Sequence, residues 1–181
     1  MIRLPVLLVA TYVALIAQEY LPALGFLHGA HLLIVPVLFC LGALTLAFPA
    51  MLGLAVFTGL LSDLSLLHTV GDHVEIGLGW SILFYVFAGT VLHALHTLFP
   101  AARWEVHCLA SGATTLLLII FQYTMVCLRR GSFYFDAAVF WHIFGPALLA
   151  IFLAPPLWFL FNLLPAPARP LAARAHGALR R

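Results

Sequence analysis

An ionisable side chain inside an apolar run is costly to bury and marks a functional position by default. Asp63 is such a residue, the one ionisable group in the apolar stretch from Ala50 to about Leu67. A carboxylate held there can act as a counter-charge or as an acceptor that fixes neighbouring donors. His93 and His96 form an H-x-x-H pair, whose i,i+3 spacing puts both imidazoles on one helix face. A metal site needs three or four ligands, and the nearest further candidates are His107 and Cys108. Those two are adjacent in sequence and point in different directions, so no metal centre is expected. His68, Asp72, His73 and Glu75 surround Gly71 and read as a solvated turn. Nothing near Asp72 and Glu75 would split their acidities into an acid and a base. The chain contains no G-x-S-x-G, H-E-x-x-H, Walker or dinucleotide-binding motif. Catalysis and cofactors are therefore not expected.

The elements that must position these groups follow from composition. Of 181 residues, 65% are hydrophobic and 8% charged, and the mean hydropathy is +1.14. A soluble domain carries about 25% charged residues, so this surface in water would be mostly bare hydrocarbon. That excludes a soluble enzyme, a disordered chain and a nucleic-acid binder. The net charge of +2 is carried by eight arginines against six acids, with no lysine. Cys40, Cys108 and Cys127 are odd in number and lie in apolar runs, so no disulfide framework is implied.

A bilayer core of about 30 Å takes about 20 residues of helix. With that ruler the chain divides into six apolar segments: Leu4 to Ala17, closed by Gln18-Glu19-Tyr20; His31 to Phe48, interrupted by Pro36 and ended by Pro49; Ala50 to about Leu67; Gly77 to Phe99; Trp104 to Leu128; and Ala137 to about Leu164. Runs such as Leu116 to Phe121 do not alternate, which argues against a barrel. Leu15 occupies the small-residue position of a signal-peptidase site before Ala17, so the first helix is expected to remain uncleaved. The expected fold is all-α, a polytopic bundle of six transmembrane helices over residues 1–164 with both termini cytoplasmic. That orientation gives the cytoplasm Arg3, Arg103, Arg169, Arg174, Arg180 and Arg181, against Arg129 and Arg130 outside. Residues 165–181 (PAPARPLAARAHGALRR from Pro165) read as a flexible, basic cytoplasmic tail facing anionic lipid or a cytoplasmic partner.

The same ruler places Asp63 about 20 Å from the start of its helix, toward the outer face. Gln122 and Tyr123 reach a similar depth, His142 lies early in the last helix, and Gln18 and Glu19 close the first. An outer-leaflet polar cluster of Glu19, Asp63, Gln122, Tyr123 and His142 is expected, with Gln122 or Tyr123 donating to the carboxylate. Small residues four apart (Ala10 and Ala14, Ala43 and Ala47, Ala55 and Gly59, Ser111 and Thr115, Ala150 and Ala154) favour close helix packing in lipid. Pro146 and Pro155-Pro156 predict a kinked or interrupted final helix.

The stretch GLLSDLSLL (Gly59 to Leu67), followed after a short loop by GLGWSILFYVFAG (Gly77 to Gly89), resembles the rod shape-determining MreD family. That family has a G-x-L-x-D-type motif in its third helix and a glycine-containing entry to the next. The segment VFWHIFGPALLAIFLAPPLWFLFNLL, with Phe140-Trp141 near its start, resembles the family's final helix. The intervening HTVGDHVEI departs from the compact turn usual there. The resemblance implies a non-enzymatic component of the bacterial inner membrane, part of the cell-elongation machinery. Its implied partners are MreC and, through it, the wall-synthesis transpeptidase and glycosyltransferase, which it helps couple to an actin-like cytoplasmic filament. The family fold is similar to the substrate-binding subunits of energy-coupling-factor vitamin transporters. Such a subunit is the alternative reading, with Ala10 and Ala14 as coupling contact and a pocket of Asp63, Trp80, Tyr123 and His142. A lipid-modifying enzyme ranks last, for want of a nucleophile and base.

Overall fold

The computed structural model describes residues 3–22, 31–66, 79–95, 104–133 and 135–163. Among them lie six helices: α1 (Arg3–Tyr20), α2 (Val35–Thr45), α3 (Phe48–Leu66), α4 (Trp80–Leu95), α5 (Trp104–Arg130) and α6 (Ala137–Asn162). The protein is all-helical over these residues. Helices α3, α5 and α6 are long and apolar enough to cross a membrane, and α2 and α4 are shorter apolar helices. Large side chains such as Phe87, Leu109 and Phe152 are exposed on the bundle surface, as lipid contact requires of a membrane protein. The basic tail, His68, Asp72, His73, Glu75 and His96 lie outside the described residues.

Helix α2 occupies the centre. Every residue from Val35 to Leu44 is buried, and the helix touches all five of the others. Contrary to the expectation from sequence, Pro36 does not interrupt this helix but stands in its first turn. A proline is tolerated there because the first N–H groups of a helix have no intrahelical acceptor. Pro49 likewise sits one residue inside the start of α3, so it begins that helix instead of closing α2. The turn between them comprises only Leu46 and Ala47. Gln18, Glu19 and Tyr20 form the last turn of α1.

Two further pairs, α3 with α4 and α5 with α6, make the most extensive contacts. In α6 all three prolines are accommodated within one continuous 26-residue helix, without the break expected at Pro155-Pro156. Asp136 starts that helix by accepting a hydrogen bond from the Ala137 N–H at 2.6 Å. Its partner α5 presents Gly112 to Ile151, and a side chain there would also come 3.5 Å from the Ala147 carbonyl. Arg3 lies 5.2 Å over the ring of Phe161, which brings the start of α1 and the end of α6 to the same end of the bundle.

Candidate functional site

The opposite end holds the polar groups. Asp63 lies in the last turn and a half of α3 and is only 3% exposed. Its Oδ2 accepts from the Gly79 N–H at 2.6 Å and its Oδ1 from the Ser81 N–H at 3.2 Å. The carboxylate therefore satisfies two of the donors that any helix leaves unpaired at its start, those of α4. An anion also complements the positive end of the helix dipole. Gly79 adopts φ +105°, a left-handed conformation that favours glycine. Its carbonyl accepts from Leu83 N at 3.0 Å, which opens α4. The expected donors to Asp63, Gln122 and Tyr123, are replaced by main-chain N–H groups, because the start of α4 reaches the carboxylate.

Three residues of α3 on the side facing α4 make this junction. Gly59 abuts the backbone of Ile82 and Ser81; a Cβ on it would come 2.6 Å from Ile82 N and 2.9 Å from the Ser81 carbonyl carbon. One turn on, the side chain of Ser62 faces that of Tyr85, and Asp63 follows. Tyr85 is 1% exposed and is held edge-on to Phe39 of α2 at 4.8 Å and to Phe84 at 5.7 Å.

Beside this junction lies a cavity of about 350 Å³, lined by Gln18, Glu19, Leu21, His31, Leu32, Leu33, Val35, Pro36, Ser62, Ser65, Tyr85, Leu118 and Gln122. Four helices supply polar groups to it, Gln18 and Glu19 from α1, Ser62 and Ser65 from α3, Tyr85 from α4 and Gln122 from α5, and His31 comes from the chain entering α2. Gln18 Oε1 accepts from the Ile34 N–H at 3.3 Å, tying the end of α1 to the chain entering α2. Ser65 donates to the Ser62 carbonyl at 3.1 Å.

The structure brings Glu19 and Gln122 together in this cavity and sets Asp63 beside it, next to Ser62. Tyr123 and His142 are not among its lining residues, and His142 is exposed on α6. Trp80 also lies away from it, half-exposed with its ring 6.0 Å from Phe121. Ser62, Ser65, Tyr85 and His31 line the cavity and were not singled out from the sequence. Their signal is the alternation SDLS, which puts Ser62, Asp63 and Ser65 within one turn. Among the described residues no three His, Cys, Asp or Glu side chains converge as metal ligands. His93 has its ring 5.4 Å from Phe48, and His107 is buried with its ring 6.2 Å from Trp158.

A second hollow lies on the bundle surface between α4 and α5. It measures about 700 Å³ and is lined by Leu83, Phe84, Phe87, Ala88, Val91, Leu92, Leu95, Ala113, Thr114, Leu117, Ile120, Phe121 and Thr124. Its apolar walls run about 17 Å along both helices. These two helices touch far less than α3 with α4 or α5 with α6. No protein-family profile, no curated protein and no solved structure matches the chain.

Proposed function

We propose that the chain is a non-enzymatic membrane scaffold that seats the transmembrane helix of a partner in the groove between α4 and α5. The single observation that carries this reading is the groove itself, whose length and almost wholly apolar lining suit a helix lying alongside it in lipid. The sequence resemblance to the MreD family supplies the partner. MreC is the bound chain, and through it come the transpeptidase and glycosyltransferase of wall synthesis and the actin-like filament. In this reading the protein crosses the bacterial inner membrane six times with both termini in the cytoplasm. Asp63 serves as a structural clasp that fixes α4, one wall of the groove, against α3. Co-expression with MreC and purification in mild detergent tests it. A stable complex is expected; failure of the two chains to co-purify overturns the reading.

The 350 Å³ cavity, which gathers polar side chains from four helices over an apolar floor, favours a second reading, the substrate-binding subunit of an energy-coupling-factor transporter. Thermal unfolding of the purified protein against a panel of vitamins separates the two. Saturable stabilisation by one vitamin supports the transporter subunit, since tight ligands raise the melting temperature by mass action. A flat panel with MreC bound supports the scaffold.

A further inference from the structure

The cavity has a definite electrostatic character. Among its described lining residues the one carboxylate is that of Glu19, and no arginine is present. The segments that join α1 to α2 (21–34) and α3 to α4 (67–79) contain neither arginine nor lysine. The second of them carries Asp72 and Glu75. Asp63, next to Ser62 in the chain, places another carboxylate at this end of the bundle, held by the Gly79 and Ser81 N–H groups. In helix order, five of the six acids (Glu19, Asp63, Asp72, Glu75 and Asp136) belong to this end or to its connections, against only Arg129 and Arg130 among the eight arginines. A cleft of one sign with low-dielectric walls concentrates ligands of the opposite sign. An anion entering here would meet no arginine or lysine among the described lining residues and would have to approach Glu19.

The remaining lining suits a small hydrogen-bonding molecule. The amides of Gln18 and Gln122, the hydroxyl of Ser65 and the imidazole of His31 surround an apolar floor of Val35, Pro36 and Leu118. A volume of about 350 Å³ falls at the small end of the range for organic-ligand pockets. We propose that this cavity binds a small organic cation, a protonated amine set against Glu19 on a compact body that hydrogen-bonds the two glutamines. The inference goes beyond both functional readings, because such a ligand could control a scaffold as well as be carried by a transporter. It is independent of the α4–α5 groove.

Three probes that share one body and differ in charge test it: tyramine (cation), tyrosol (neutral) and 4-hydroxyphenylacetate (anion). Each is titrated at millimolar concentration into the full-length protein in detergent, by calorimetry and by thermal unfolding. Tyramine is expected to bind saturably, tyrosol more weakly, and the acid not at all. Glu19→Gln should lower tyramine affinity roughly two- to fivefold, to the tyrosol level, as an exposed ion pair allows. It should leave tyrosol unchanged. Gln122→Trp, which fills the cavity from a half-buried position, should abolish binding of both. The proposal is overturned if no probe saturates, if the acid binds as well as the amine, if Glu19→Gln keeps the preference for the cation, or if Gln122→Trp still binds tyramine. None of these results bears on whether MreC co-purifies.

Discussion

Asp63 caps a helix to which it does not belong: its Oδ2 lies 2.6 Å from the Gly79 nitrogen, sixteen residues further along the chain. Helix α4 has no side-chain cap of its own in the described structure, and the carboxylate from α3 takes that role. Asp63→Leu leaves the Gly79 and Ser81 N–H groups without this acceptor in a nearly water-free site. The expected loss is about 2–4 kcal/mol of stability, as two buried donors lose their partner. Asp63→Asn keeps one carbonyl oxygen and should lose about half as much. Unfolding midpoints in detergent and denaturant measure both, and an unchanged midpoint for the leucine variant would contradict the clasp.

Gly59 and Gly53 lie in the same helix and should respond oppositely to alanine. At Gly53 a Cβ meets nothing within 4 Å, whereas at Gly59 it runs into the backbone of Ile82. Gly53→Ala should stabilise by about 0.5–1 kcal/mol through helix propensity. Gly59→Ala forces α3 and α4 apart and should lower the melting temperature. A rise for both variants would show that the two helices can separate without cost.

The hydroxyls of Thr11 and Thr58 are fully buried and make no hydrogen bond. Other threonines, such as Thr45 and Thr115, return theirs to the carbonyl four residues earlier. Replacing a buried, unsatisfied hydroxyl by a methyl removes a desolvation cost. Thr11→Val and Thr58→Val are each expected to raise stability by about 1 kcal/mol. Denaturant titration of the two single variants and their combination checks this; a fall in stability would mean that the hydroxyls are satisfied.

The groove between α4 and α5 gives a prediction that spares the fold. Ala113 is exposed and lines the groove. Ala113→Phe should fill it, leave the unfolding midpoint within about 0.5 kcal/mol of the original, and weaken co-purification of MreC several-fold. Equal recovery of MreC by the variant would place the partner elsewhere on the bundle.

Long apolar runs made the helices readable. Segments starting at Trp104 and Ala137 begin α5 and α6, and Asp63 stands within α3. Prolines were harder to place, because the same residue both ends one helix and begins the next. Pro36 and Pro49 illustrate this, each standing in a first turn. The polar end of the bundle was legible through Glu19 and Gln122, whose depth follows from counting residues along their helices. The partners of Asp63 were not, since main-chain donors carry no side-chain signature and their approach depends on how α3 and α4 pack. Tyr85 was hidden for a related reason. It sits in an apolar run, SILFYVFAG, where only the phase of α4 reveals that it turns inward toward Ser62.

Helix α2 has eleven residues and so rises only about 16 Å, roughly half the depth of a bilayer's hydrocarbon. It is the innermost post of the assembly, and its top, at Val35 and Pro36, is the floor of the hollow. The chamber therefore owes its existence to a pillar that stops short of the roof. One more helical turn inserted before Val35 would plug it from below, turning a receptacle into solid packing while leaving the outer ring of helices as they are.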